Sequence, residues 1–180
     1  MISNIYPNRP QRMSYAGAGF ILFTHDLQSV LLVLDSRSKK WGFPKGHREL
    51  KDENDIATAT RETWEETGLV KEDYIIFPES FKINKGSQSY IFRYAMIKHT
   101  DHNNRIIHGH SYEIEDMRWV PVRSLIEAKQ VLDGNKYLRT WIEDIQGNLS
   151  KKPVQLYKLL LERIQPLIEA MGASNIVASA

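Results

Sequence analysis

Arg61-Glu62-Thr63-Trp64-Glu65-Glu66-Thr67-Gly68 is the stretch on which the reading of this chain turns. Wound into a helix at about 100° per residue, it sets Glu62 and Glu66 one above the other, roughly 6 Å apart, with Glu65 on the flank of the same face. Three like charges so close repel one another and weaken the helix. A hard divalent cation turns that cost into binding, because Mg²⁺ and Mn²⁺ prefer carboxylate oxygens. Arg61 can hold one carboxylate in a fixed fork. Gly68 ends the helix, since glycine tolerates the left-handed backbone found there. A bare pair of glutamates reads most simply as a solvated helix face. Here Pro44-Lys45-Gly46 leads toward the helix with carbonyls to offer, and Glu53 stands just ahead of its start.

Outward from this stretch, Gly46 to Leu69 carries Glu49, Asp52, Glu53, Asp55, Glu62, Glu65 and Glu66 against Arg48, Lys51 and Arg61, a net of −4. The whole chain is formally +2, so the remainder is +6. An acidic knot in a mildly basic chain is unlike a general nucleic-acid binder. It suits a protein that gathers carboxylates about a cation and offers bases to an anionic substrate. The 180 residues, 42% hydrophobic and 26% charged, support one packed domain with an added helical tail. No apolar run reaches the roughly 18 residues a membrane span needs. Met1 to Pro7 lacks the basic start and apolar run of a secretory signal. The absence of cysteine removes disulfides, thiolate metal sites and thiol nucleophiles, and fits a reducing compartment. A cytoplasmic location is expected, with the nucleus as the other compartment.

The rest of the chain reads as strands with few helices. Residues 1–13 form an arm. Ser14 to Phe23 is a strand whose small residues mark the close approach of another backbone, and Val30 to Asp35 is an apolar run of strand length that suits burial on both faces. The two strands are expected to pair as a hairpin. Ser36 to Lys45 is a polar loop, Asp55 to Thr67 is helical, and Tyr74–Ile83 and Gln88–Lys98 are strands around Asn84-Lys85-Gly86-Ser87. His99 to Glu113 is a long loop. Met117 to Val122 is a strand, and Ser124 is expected to cap a helix through Ile126, Ala128 and Val131. Further helices are expected over Tyr137–Ile145 and after Pro153, then a frayed tail over 173–180. This is a mixed α/β layout with helices covering a sheet.

Gly46, Glu53, Arg61-Glu62, Glu65-Glu66, Gly68 and Leu69 together resemble the signature of the Nudix hydrolase family. That signature runs glycine, five residues, Glu, seven residues, Arg-Glu, an apolar residue, any residue, Glu-Glu, any residue, Gly and an apolar residue. Two places depart from it. Six residues separate Gly46 from Glu53, and Thr63 stands at an apolar place. The resemblance implies an α/β/α sandwich with a mixed central sheet over residues 14–133; the helical extension expected over 134–172 departs from a minimal enzyme of the family. It also implies Mg²⁺ or Mn²⁺ held by Glu62, Glu65, Glu66 and a carbonyl of Lys45 or Gly46, with Arg61 and Glu53 holding loop and helix in register. The cation then neutralises phosphate oxygens and activates a water for attack on phosphorus.

Two candidates for the general base remain: Glu66, and a glutamate before the last strand, Glu113 being favoured over Glu115. Lys45 is the first choice for a substrate phosphate, with Arg37 and Lys40 behind it. Tyr90 is a further phosphate contact and Trp41 a base-stacking surface, though core and loop packing are their default roles. Four histidines in the long loop, His99, His102, His108 and His110, lack the acidic or thiolate company of a zinc site.

The substrate branch is less marked. Pro44-Lys45-Gly46-His47 with Arg61-Glu62-Thr63 resembles hydrolases of diadenosine tetraphosphate, the expected substrate class. Trp41-Gly42-Phe43-Pro44-Lys45-Gly46 resembles mRNA-decapping enzymes, and diphosphoinositol polyphosphate hydrolases are a third neighbour. The expected partners are therefore a small polyphosphate or capped RNA, and no membrane. A non-catalytic nucleotide sensor of the same fold would lose Glu62 or Glu66, and both are present.

Overall fold

The computed structural model describes residues 15–127 and 132–151. The strands are β1 Tyr15–Phe23, β2 Ser29–Asp35, β3 Trp41–Gly42, β4 Lys45–His47, β5 Tyr74–Lys85, β6 Gln88–Ile97 and β7 Ile114–Pro121. The helices are α1 Asp55–Thr67, α2 Val122–Ile126 and α3 Lys136–Lys151. The strands form one sheet in the order β3-β2-β1-β6-β5, with β4 on β1 and β7 on β2. Only β1 and β6 run parallel, so the sheet is mixed, as expected. Among the described residues no helix is long and apolar enough to cross a membrane.

β1 and β2 begin as the expected hairpin, but they share a single register pair, Phe23↔Val30, and then part. Beyond it β4 takes the edge of β1, pairing Gly17 with His47, Ala18 with Gly46 and Gly19 with Lys45. The glycines permit this. A Cβ on Gly17 would lie 2.4 Å from the Gly46 carbonyl oxygen, and one on Gly19 would lie 2.1 Å from that of Pro44. The region expected as a polar loop, Ser36 to Lys45, thus contains β3 and the start of β4, held by partners distant in sequence.

α1 has the expected bounds. The Asn54 side chain caps it by accepting from the Ala57 N–H, and Gly68, at φ 78°, ends it by donating to the Trp64 carbonyl. Its inner face is built of small side chains, Thr58, Ala59, Thr63 and Thr67, all buried, which lets the helix lie close on β1. Thr63 is fully buried at its departure from the signature, although its hydroxyl has no hydrogen-bond partner among the described residues. Phe20, Leu22, Leu31, Val33, Ala59 and Leu69 belong to the core between helix and sheet. Burial of each larger side chain there contributes about 1.5–3 kcal/mol.

One helix expectation needs correction. α2 has five residues and starts at Val122 behind Pro121, so Ser124 lies inside it and caps nothing. Proline fixes its own φ and sets the entry without a side-chain cap. Ala128, Val131, the arm over 1–13, Ser14, the helix after Pro153 and the tail over 173–180 lie outside the described residues. The chain divides into two compact units between Arg139 and Thr140, and the described part of the second is the remainder of α3.

Candidate active site

β4 and α1 face each other, and the site is built between them. The register of β4 on β1 decides which backbone groups are available. Phe20 donates to the Pro44 carbonyl and Arg48 to that of Ala16. Bonding alternates along an antiparallel pair, so Gly46 also directs its N–H and C=O at β1, while Lys45 directs both away. The Lys45 N–H accordingly donates to Glu66 Oε2 at 3.2 Å. Of the two carbonyls considered for a cation, that of Lys45 is the one turned from β1. The Cα of Gly46 serves the acids differently: a Cβ there would lie 2.0 Å from Glu62 Cδ, so only glycine leaves room for that carboxylate.

Arg61 organises the acids. Its Nε and Nη2 donate to Asp52 Oδ1 and Oδ2 at 3.2 and 3.0 Å. Nη1 reaches Glu62 Oε1 at 2.7 Å and Glu65 Oε2 at 3.2 Å, and Nη2 also donates to the His47 carbonyl at 2.8 Å. The bidentate partner is therefore Asp52, whereas Glu53 is exposed. Counting back from Arg61 places the signature's first Glu at 53, but counting five residues on from Gly46 lands on Asp52. The extra loop residue separates the two counts, and the forward count carries the Arg61 fork. Asp52 also accepts from the Glu49 N–H and the Thr58 hydroxyl. Burial alone would raise its pKa, but those donors and the Arg61 charge hold it down at about 2.

Glu62 and Glu66 move the other way. Burial raises Glu62, against the hydrogen bond and charge of Arg61, and Glu65 and Glu113 add repulsion. Burial pushes Glu66 up to about 8, opposed by the Lys45 charge and N–H and reinforced by Glu62 and Glu113. These two residues line a cavity of 380 Å³ with Lys45, Gly46, Arg37 and Glu113, beside Asp35, Ser36, His47 and Glu49. The structure thus brings six of the sequence-predicted residues to one place.

It sets the others elsewhere. Glu65 is bound to Arg61 and does not line the cavity. Tyr90 and Trp41 are buried outside the lining, with the Arg118 guanidinium 5.0 Å over the Trp41 ring. Glu113 and Glu115 separate clearly. Glu115 is paired with Lys39, while Glu113 faces the cavity on a loop tied down by the Ser36 N–H to its carbonyl, 2.8 Å. The loop histidines do not gather at the acidic cavity: His102 packs on Trp119 and lines a separate cavity with His108, His110 packs on Trp64, and His99 lies 3.8 Å from Asp73. Tyr137, which the sequence did not single out, stands over the Tyr90 ring at 4.9 Å.

The donor set fits a hard divalent cation in its chemistry, being carboxylate and carbonyl oxygen, with carboxylates whose burial and mutual repulsion a cation would relieve. Its arrangement is set by Arg61. Among the described residues no three His, Asp or Glu side chains gather about one point as metal ligands do.

A model of the NUDIX domain matches residues 13–143. The chain is 29% identical over 161 residues to the m7GpppN-mRNA hydrolase dcap-2 of Caenorhabditis elegans, covering 82% of this chain and 20% of that protein. It is 44% identical over 57 residues to the m7GpppN-mRNA hydrolase of Saccharomyces cerevisiae, covering 32% of this chain and 6% of that one. The chain thus spans a quarter or less of the length of the curated relatives it matches. Among solved structures, the C. elegans Ap4A hydrolase binary complex superposes with a TM-score of 0.57 at 20% identity, covering 75% of this chain and 98% of that one. The Nudix hydrolase RenU of M. smegmatis gives 0.56 at 17%, covering 78% and 88%. At such identities the superpositions show the fold alone. On the match over residues 13–143, this chain belongs to the Nudix hydrolase family.

Proposed function

We propose that this chain hydrolyses a phosphoanhydride in a phosphate chain that joins two nucleosides, the capped end of an mRNA being the first substrate and diadenosine tetraphosphate the second. The observation that carries the reaction class is the meeting of Glu62, Glu66 and Glu113 with Lys45 and Arg37 around one cavity. Acids on one side and bases on the other suit a phosphate chain and its counter-ion. The sequence expectation put diadenosine tetraphosphate first. The order is reversed here because the relatives found by sequence are mRNA cap hydrolases, while the Ap4A hydrolase is similar in fold. Both substrates are dinucleoside polyphosphates, so the chemistry is shared.

Glu62, Glu66 and the Lys45 carbonyl would hold the cation, with Glu65 released from Arg61 as a further donor. When bound, a divalent cation such as Mg²⁺ supplies charge neutralisation and an activated water. The chain's own part is then threefold. Arg61 fixes α1 to the loop through Asp52. Lys45 and Arg37 draw the phosphates to the acidic wall. Glu113 or Glu66 takes the proton of the attacking water as the anhydride P–O bond breaks. The deciding experiment is one substrate panel with Mg²⁺ and with Mn²⁺, reading products: m7GpppN-capped RNA, diadenosine tetraphosphate, a diphosphoinositol phosphate and ADP-ribose. Cleavage of the capped end within its phosphate bridge, lost in Glu66→Gln, is expected. Turnover confined to ADP-ribose or diphosphoinositol phosphate would overturn the substrate class, and no turnover of any member would overturn the reaction.

A further inference from the structure

We propose that Tyr137, in the first turn of α3, is a positioning residue of this site: its ring and that of Tyr90 hold the Lys45 ammonium at the edge of the acid cluster. The proposal rests on the reading of Lys45 as the cation that meets substrate phosphate.

The Lys45 ammonium meets two aromatic faces, while its charge acts on the carboxylates of Glu66 and Asp35. Nζ lies 5.5 Å from the centroid of Tyr137 and 5.8 Å from that of Tyr90. The two rings are 4.9 Å apart at 36°, and Tyr137 also lies 5.5 Å from Phe92. Tyr90 is 1% exposed and cannot shift without disturbing the sheet. It is shared, because Lys85 Nζ stands 5.4 Å over the same ring. A cation over a ring face within about 6 Å is attracted by the ring quadrupole. A flexible lysine, otherwise costly to order, is thereby confined to the cavity wall before a substrate arrives.

Tyr137 itself is placed by its backbone. The Trp41 N–H donates to the Asp133 carbonyl at 2.9 Å, and the Asn135 N–H donates to the Trp41 carbonyl at 2.7 Å. Asn135 Oδ1 accepts from the Leu138 N–H at 2.9 Å, and Lys40 pairs with Asp133 at 3.1 Å. A Cβ on Gly42 would lie 2.0 Å from Asn135 Nδ2, so the glycine admits this segment against β3. Residues 133–139 are thus pinned to the strand that precedes Lys45, and their one aromatic ring faces that lysine.

The test uses the full chain as wild type, Tyr137→Phe, Tyr137→Leu, Lys45→Met and the double variant Tyr137→Leu/Lys45→Met. Two quantities are read: the NMR shifts of the Lys45 side-chain methylenes, and the Kd for inorganic tripolyphosphate with Mg²⁺ by calorimetry. Ring-current upfield shifts are expected in wild type and in Tyr137→Phe, and should be reduced in Tyr137→Leu. The Kd should rise about fivefold in Tyr137→Leu, stay near wild type in Tyr137→Phe, and show no further rise when Tyr137→Leu is added to Lys45→Met. Unshifted Lys45 methylenes in wild type, an equal rise in the Lys45→Met background, or no tripolyphosphate binding would each overturn the proposal. Should the leucine variant fail to fold, nuclear Overhauser contacts between the Tyr137 ring and the Lys45 methylenes in wild type decide it: they are expected, and their absence would overturn the proposal. Absence of hydrolysis across the substrate panel, with these shifts and couplings present, would remove the proposed reaction and leave the positioning role standing.

Discussion

Replacing Asp52 by Asn should destabilise the protein by about 3 kcal/mol, whereas replacing its neighbour Glu53 by Gln should leave stability within about 0.5 kcal/mol. The Asp52 side chain is 4% exposed and accepts from Arg61 Nε, Arg61 Nη2, the Glu49 N–H and the Thr58 hydroxyl at 3.2, 3.0, 2.8 and 2.9 Å. Burial opposes the charge, yet these donors win and hold the carboxyl at about 2, against 3.8 unperturbed. That difference corresponds to about 2.5 kcal/mol of stability at neutral pH. Asn keeps the shape but removes the charge and turns an N–H₂ toward one of the donors, which leaves part of the Arg61 fork unmet. Glu53 is exposed, and among the described residues no such set of donors surrounds it.

The assay is urea unfolding of both variants and wild type, with the slope checked for constancy. For a chain of this size the Asp52→Asn loss also corresponds to a fall of about 6–12 °C in Tm. The pH dependence has a definite sign. The folded pKa is depressed, so the stabilisation is complete above 3.8 and is lost as pH falls toward about 2. The gap between wild type and Asp52→Asn should therefore close over that window. A Glu53→Gln loss equal to that of Asp52→Asn, or a gap that persists unchanged at pH 2, would refute the assignment of the Arg61 fork.

The same geometry fixes three further outcomes. Glu66→Gln should keep the fold by circular dichroism, abolish nearly all hydrolysis, and lack the rise in Tm that added Mg²⁺ or Mn²⁺ is expected to produce in wild type. Gly46→Ala should cost about 1 kcal/mol or less in stability, because its Cβ meets the movable end of Glu62, yet lower kcat at least about 100-fold by displacing that carboxylate; Gly17→Ala, which meets the Gly46 carbonyl oxygen at 2.4 Å, should instead destabilise by about 1–3 kcal/mol in a thermal melt. Glu113→Gln should lower kcat at least about 10-fold, while Glu115→Gln, whose partner Lys39 is exposed, should leave kcat near wild type in the same steady-state assay.

What the sequence made legible was mostly local. The bounds of α1, its glycine stop and the stacking of Glu62 on Glu66 follow from helical geometry acting on adjacent residues, and they reappear in the structure. β3 and β4 were missed because two- and three-residue strands carry no periodicity of their own and exist through their partners. The parting of β1 and β2 was half legible: the small residues of β1 mark the close approach of another backbone, as β4 makes at Gly17 and Gly19, but nothing within Tyr15–Asp35 says which segment it is. Asp52 was within reach of a count from Gly46, but a single inserted residue leaves two registers, and only packing chooses between them. Tyr137 had no signal at all, since its meaning depends on the pinning of residues 133–139 to Trp41.

The dependence runs backwards from the acids to two glycines. Glu62 and Glu66 need a wall that carries Lys45, and that wall is β4. Three residues make no stable strand alone, so β4 must borrow its order from β1. β1 can lend it only where its own side chains vanish, at Gly17 and Gly19, which meet the carbonyls of Gly46 and Pro44. That docking sets the alternation by which Gly46 bonds to β1 and Lys45 turns to Glu66. Any side chain at residue 17 or 19 would push β4 outward and part the Lys45 peptide from α1, although neither glycine lines the cavity. The chemistry of the cavity is therefore specified about as strictly by the smallness of β1 as by the carboxylates of α1.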